Sequence, residues 1–454
     1  MTLRNVGTNG VVLGARDSAY ARETSGFQTG FTQRPEQVRP VASVAEVVGA
    51  VTHAREAGLP VRVRATGHGT PGNSEGGMLI STRRLDEVRI DPHARVARIG
   101  AGARWSQVIE AAAPHGLAPL SGSSPGVGAV SYTLGGGLGL LGRSWGYAAD
   151  HVRSVDLVTA GGERLRVTAD SEPELFWGLR GAGHGFGVVT ALETGLVPVT
   201  HVYGGGLSFD GRETDPGALL RAWTGWTAGL PDAMSSTFAA LPFPDAPMLP
   251  PALRGRYAIT VRVAYTGDPE EGARLMAPLR AVGPVTEDTL RTIPYTGSGH
   301  IHDEPDTPHA YYGDNAVVRD LDPTAGAELL ALTGPDAPGM TITQITHLGG
   351  ALGREPAVPN AVPYREGRFL VRLLSMLQGT DPAAVRAHYA RVLPLLAPSA
   401  LGRSLNFAFG DADGDGHEER ARALYGAHAR GRLAGLKKTY DPTGLFVGSR
   451  HLDG

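Results

Sequence analysis

The pattern of apolar and polar positions changes character near residue 200. From Ser43 onward, Val44, Val47, Val48 and Val51 recur at helical spacing, Glu46 completes a capping box, and Gly58 stands where the helix would end. Pro60 then introduces a strand over 61–65, and short strands follow at 78–81, 88–90 and 96–100. A second helix is predicted from Trp105 to His115, stopped by Gly116. The stretch 121–150 carries too many glycines for a stable helix. Residues 155–159 and 164–168 flank Gly161-Gly162 as a hairpin, Ser171-Glu-Pro-Glu174 caps a short helix, and 180–199 returns to strand.

Beyond residue 200 the predicted strands lengthen, at 257–265, 340–348 and 368–377. Helices between them open at Asp268-Pro269 and Asp381-Pro382, with proline in its favoured first helical position. This texture predicts an antiparallel sheet with helices on one face. The segment 284–325, rich in Pro, His and Asp, reads as an extended loop near a site. A last helix is expected over 418–438, before Asp441-Pro442, and no internal repeat is visible.

Composition narrows the chemistry. The 454 residues carry a formal charge of −3 without a block of like charge, which argues against nucleic acid as a partner. There is no cysteine, so disulfides, thiolate nucleophiles and cysteine–metal sites are excluded. No run of 18 or more apolar residues exists and the N-terminus lacks the stretch of a signal peptide, so a cytoplasmic protein without a membrane partner is expected. The 64 glycines are about twice the usual share. They gather around 67–77, 122–146 and 181–187, between strongly apolar segments. Three such loops in one half of a chain point to backbone amides approaching a large phosphate-bearing cofactor.

Several familiar motifs fail in context. Gly67-His-Gly-Thr-Pro-Gly72 fits the dinucleotide fingerprint and follows a strand, but no helical pattern follows it, and the second match, Gly137 to Gly142, fails in the same way. Asp411-Ala-Asp-Gly-Asp-Gly416 resembles a calcium loop but has Arg422 where the bidentate glutamate belongs. His302, Asp303, Glu304, Asp306 and His309 lie on a proline-broken loop without metal-ligand spacing, so no metal is expected. There is no G-x-S-x-G elbow of a hydrolase.

Taken in order, RPEQVRPVASVAEVVGAV, LPVRVRATGHGTPG, GSSPGVGAVSYTLGGGLGLLGRSWGYAADHV and ELFWGLRGAGHGFGVVT resemble the FAD-linked oxidases of the berberine bridge enzyme-like group, within the vanillyl-alcohol oxidase superfamily. HLGGAL with PYREGRF, and NFAFG with RLAGLKKTYDPTGLF, extend the likeness. The resemblance implies an α+β protein. A PCMH-type FAD-binding domain of two subdomains would occupy 1–200, completed by 404–454. A substrate domain over 201–403 would set an antiparallel sheet, covered by helices, above the flavin.

The resemblance also implies roles. His68 stands at the histidine that bonds the flavin 8α-methyl group, and Ser124 replaces a cysteine that makes a second bond in some members, so FAD linked through His68 alone is expected. Val127 falls at the position associated with oxygen access, which favours an oxidase using O2. The implied cofactor set is Arg64, Ala65, Thr66, Gly67, His68, Gly69 and Thr70, with Ser123, Ser124, Val127, Gly128, Ser131, Tyr132, Gly139, Val189 and Asn406. Ser404 and Phe407 stand where many members have catalytic tyrosines, Gly444 replaces an asparagine, and His184 stands where asparagine is frequent. The expected catalytic residues are therefore His347, Tyr312 and Asn406, with Tyr311 as a further candidate base. The expected reaction is hydride transfer from a small secondary-metabolite, amine or alcohol substrate, with O2 reduced to H2O2 and ring closure as a possible coupled step. The alternative is a redox-neutral cyclase or binding protein on the same fold. The sequence leaves the substrate and the oligomeric state open.

Overall fold

The computed structural model describes residues 10–247, 249, 251, 253–410, 417–447 and 452. The acidic loop Asp411–Gly416 lies outside the described residues. The helix expected after Ser43 spans Val44–Ala57, with the Ser43 side chain accepting from the Glu46 N–H and Gly58 closing it in the left-handed conformation. It connects two strands of a small parallel sheet in the order Gln37–Pro40, Met78–Ser81, Val61–Arg64. Val47 and Val51 pack against Ile80, Val158 and Phe446.

A second sheet of five antiparallel strands has Val188–Gly195 between Val96–Gly100 and Val152–Val158, with Val88–Asp91 and Arg164–Val167 at its edges. The expected hairpin is its Val152–Val158 and Arg164–Val167 pair. One large core holds Trp105, Phe176 and Phe186 together with the Ala129–Leu134 helix. That helix corrects the expectation for 121–150. Ala-Val-Ser-Tyr-Thr-Leu is a glycine-free run with five buried residues, bounded by Gly128 and Gly135, and burial outweighs its short length. Gly142–Trp145 forms a further helical turn.

The third sheet has nine strands drawn from 201–402. It is a duplication that sequence comparison within the chain does not reveal. His201–Asp210, helix Pro216–Thr227, Met234–Pro242, Tyr257–Tyr265, helix Pro269–Arg280 and Val285–Asp288 make one βαββαβ unit. Tyr311–Val318, helix Pro323–Leu332, Thr341–His347, Phe369–Met376, helix Pro382–Val392 and Ala400–Gly402 make the other. Each unit orders its strands 4-1-3-2, and the two second strands pair antiparallel, joining the halves at Thr237–Ala240 against Thr343–Thr346. All four helices open with Asp-Pro, and Asp215, Asp268, Asp322 and Asp381 each accept a first-turn N–H. The side chains between sheet and helices form a separate core that includes Trp223, Phe238, Ile345 and Leu373.

Two boundaries differ from expectation. Most of 284–325 is structured: Val285–Asp288, Arg291–Pro294, a 3-10 turn over Tyr295–Ile301 and the strand Tyr311–Val318, with 302–310 as the longest loop left. The terminal helix is two helices, His417–Tyr425 and Ala427–Tyr440, because Gly426 takes a φ of +74° between them.

Candidate active site

A cavity of about 1320 Å³ lies between the glycine-rich loops and the face of the nine-stranded sheet opposite its helices. It exceeds the size of an ordinary small-ligand pocket, roughly 300–1,000 Å³, and has room for a dinucleotide together with a substrate. Arg64, Ala65, Thr66, Gly67, His68, Gly69 and Thr70 line one wall. Ser123, Ser124, Val127, Ser131 and Tyr132 line a second, with Val189 and Asn406 between them and the sheet.

The loop after Val61–Arg64 is shaped by local constraints. Gly67 takes a φ of +76°, and a Cβ there would lie 2.7 Å from the Gly26 Cα, so the position requires glycine. Arg64 is buried and donates to the Thr24 carbonyl; burial and the nearby Arg83 lower its proton affinity to about 10, so it remains a cation. His68 stacks on Phe27 at 4.0 Å between ring centres. Its Nδ1 is held 2.8 Å from Thr66 Oγ1, while Nε2 is buried without a hydrogen-bond partner among the described residues. Burial first, then Arg104 and His309, pushes the imidazole down to about 3, so it is neutral. Tyr311 Oη donates to the His68 carbonyl at 2.7 Å, tying the loop to the sheet.

On the other wall, Asn406 Nδ2 donates to the Tyr132 carbonyl at 2.8 Å. A Cβ on Gly135 would lie 1.9 Å from Asn406 Oδ1, which explains glycine at that place. Gly183 and Gly185, with φ of +83° and +120°, flank His184 on the cavity lining.

Two members of the expected cofactor set do not line the cavity. Gly128 stands behind it, its N–H directed at Thr66 Oγ1 at 3.3 Å. Gly139 is a packing glycine: a Cβ there would lie 2.4 Å from the Ser121 carbonyl oxygen.

The expected substrate-side residues divide. Asn406 and Tyr311 line the cavity; His347 and Tyr312 do not. Side chains alternate across a strand, so Tyr311 faces the cavity and Tyr312 faces the helices, edge-on to Tyr389 at 5.3 Å. His347 is buried beside Phe369, with Nε2 3.3 Å from Arg143 Nη1. Burial raises the proton affinity of the Tyr311 hydroxyl, and with its bond to the His68 carbonyl this makes it a poor base.

Residues that sequence reasoning passed over stand on the sheet face. Arg262, Gln344 and Arg372 project into the cavity with His302 from the 302–310 loop. Arg372 donates to Gln344 Oε1 at 2.7 Å and lies 3.9 Å over the Phe407 ring; Gln344 Nε2 is 3.4 Å from His302 Nδ1. Burial and the two arginines hold His302 well below the usual histidine range, hence neutral. Glu304, on the same loop, accepts from Ser123 Oγ at 2.8 Å. Among the described residues no three His, Asp or Glu side chains lie close enough to share a metal ion.

This geometry suits FAD. The amide-rich loops and Arg64 can hold its phosphates, and His68, on the cavity lining, keeps a buried Nε2 without a hydrogen-bond partner among the described residues. Comparison with known proteins agrees. Residues 35–168 match the FAD binding domain family. (R)-6-hydroxynicotine oxidase of Paenarthrobacter nicotinovorans is 30% identical over 290 residues, covering 63% of this chain and 61% of that one, so the chain spans less than two thirds of that relative's length. An FAD-linked oxidoreductase of Dictyostelium discoideum is 25% identical over 90% of this chain and 87% of its own. The solved structure of xylooligosaccharide oxidase from Myceliophthora thermophila shares the fold, with a TM-score of 0.84, 21% identity and coverage of 97% and 96%. In sequence, fold and cofactor cradle the chain is thus similar to FAD-linked oxidoreductases, and residues 35–168 carry an FAD binding domain.

Proposed function

We propose that the protein is an FAD-dependent oxidase acting on a small substrate held between the flavin and the nine-stranded sheet. Bound FAD supplies an acceptor that takes hydride from a substrate carbon and delivers the electrons to O2, yielding H2O2. The loop 64–70 and residues 123–132 hold the cofactor. His68 anchors it covalently, its stack on Phe27 and its bond to Thr66 fixing the ring in one orientation. Asn406 presents a polar edge to the cavity. His302, kept neutral and accepting at Nδ1 from Gln344 Nε2, offers its Nε2–H to a substrate oxygen or nitrogen. An amine that loses its proton before hydride transfer would need no base at that step. Positioning between two walls then supplies much of the rate enhancement.

The observation that carries this reading is His68, a neutral imidazole with a buried nitrogen unpartnered among the described residues, on a cavity large enough for FAD. After acid precipitation the yellow colour should stay with the polypeptide, and His68→Ala should release it to the supernatant. Colour retained by the His68→Ala pellet would show that another residue carries the flavin. A purified protein without flavin, or one that converts its substrate without peroxide, would overturn the oxidase reading; the second result would favour the redox-neutral alternative.

A further inference from the structure

The duplicated sheet places two arginines at equivalent positions. Thr237 pairs with Thr346, and Ala239 with Gln344, so a two-fold axis through the joint takes Thr237 to Gln344. Arg262 lies opposite Thr237, and Arg372 lies opposite Gln344. The same axis therefore takes Arg262 to Arg372. Each is the third strand's contribution from its own half, and each projects from the cavity face. Their Cα atoms stand three strand spacings apart, about 14 Å across the sheet, and long side chains can close that gap. His302 lies where they meet, since both guanidinium groups act on its imidazole.

A guanidinium taken out of water without an anion is costly. Among the described residues neither arginine has a carboxylate within ion-pair distance, and Arg262 has no side-chain hydrogen bond. Among the described residues the groups that satisfy Arg372 are neutral, Gln344 and the Phe407 ring. The acidic groups nearest them are committed elsewhere at the exposed rim: Glu304 accepts from Ser123, and Asp303 sits 3.7 Å from His300. Such a pair fits a planar anion, which arginine binds through parallel N–H donors. Farther along the strands the sheet face turns apolar at Leu241, Ile342, Leu374 and Met376, with Ser208 and Thr260 as polar neighbours of Arg262.

We propose that the substrate is an apolar molecule bearing one carboxylate, received by Arg262 and Arg372 together beside His302. The proposal rests on the oxidase reading for the word substrate, but the anion site is testable without turnover. Isothermal titration calorimetry of the protein as purified compares benzoate with benzamide, which match in shape and differ in charge, in a buffer free of carboxylate and phosphate. Benzoate should bind at least about tenfold more tightly, and Arg262→Gln and Arg372→Gln should each abolish that preference while leaving benzamide binding and flavin content unchanged. Equal binding of benzoate and benzamide overturns the proposal. So does a preference that survives in either variant, or variants that lose flavin while keeping the preference. Arg262 makes no internal hydrogen bond that its replacement could break, so Arg262→Gln alone decides the matter if Arg372→Gln fails to fold. A colourless protein that still prefers benzoate would refute the oxidase reading and leave the anion site standing.

Discussion

At the scale of single residues, charge inside the molecule follows what each group can bond to. His347 shows the constraint. Arg143 Nη1 can only donate, so His347 Nε2 must accept and the ring stays neutral, with Nδ1 lacking a partner. Burial and the neighbouring Arg143 and Arg368 push it down to about 3. On unfolding the ring regains ordinary affinity, so the unfolded chain binds more protons between about pH 3 and 6.5. Stability contributed by this residue is complete above pH 6.5 and falls as the pH drops below it. The loss reaches about 2 kcal/mol at pH 5. Denaturant titrations at pH 7.5 and pH 5 should show that His347→Asn loses less stability over this interval than the unmodified protein by that amount; equal losses would refute the account. Residue chemistry was legible in part. The place of His68 on the cavity follows from the glycines beside it and the family likeness, whereas His347 and Tyr312 lie off the cavity. A one-residue change of strand position turns a side chain from one face to the other, and no local signal told Tyr311 from Tyr312. The arginines did leave a trace: Val261-Arg-Val263 and Val371-Arg-Leu373 each set a charge within an apolar strand.

At the scale of elements, the strands expected at 257–265, 340–348 and 368–377 appear within a residue at each end, because period-two alternation over a half-buried sheet is a strong signal. Asp-Pro marks the helix starts equally well. Asp322 Oδ1 accepts from the N–H groups of both Thr324 and Ala325, at 2.9 Å each. Asp322→Ala should destabilise the fold by about 1 kcal/mol and Asp322→Asn by much less, read from urea midpoints. A loss equal in both variants would point to charge rather than capping. The short Ala129–Leu134 helix and the edge strands within 284–325 were not legible, since their stability comes from packing and pairing with distant segments.

At the scale of the whole molecule, the duplication is a matter of topology, and topology leaves little trace in residue identity. The Asp-Pro helix starts and the arginines at 262 and 372 are traces of it. The tail is also held by long-range contacts. Asp441 is fully buried, accepts from Lys437 Nζ at 2.8 Å, and accepts the N–H groups of Leu445 and Phe446. Removing one member of a buried ion pair typically costs about 3–5 kcal/mol. Asp441→Ala should therefore lower the melting temperature by several degrees and reduce the flavin content of the purified protein, because Phe446 and Val447 line the cavity. Normal flavin content in a destabilised Asp441→Ala variant would detach the tail from the site.

The same contacts impose an order on biosynthesis. Val61 pairs with the segment around Phe446, so the nucleotide berth joins stretches separated by most of the polypeptide. A ribosome that has made the glycine loops has not yet made their far wall. Flavin acquisition is thus an event of maturation after translation, and the protein must first reach a folded form that admits its own prosthetic group.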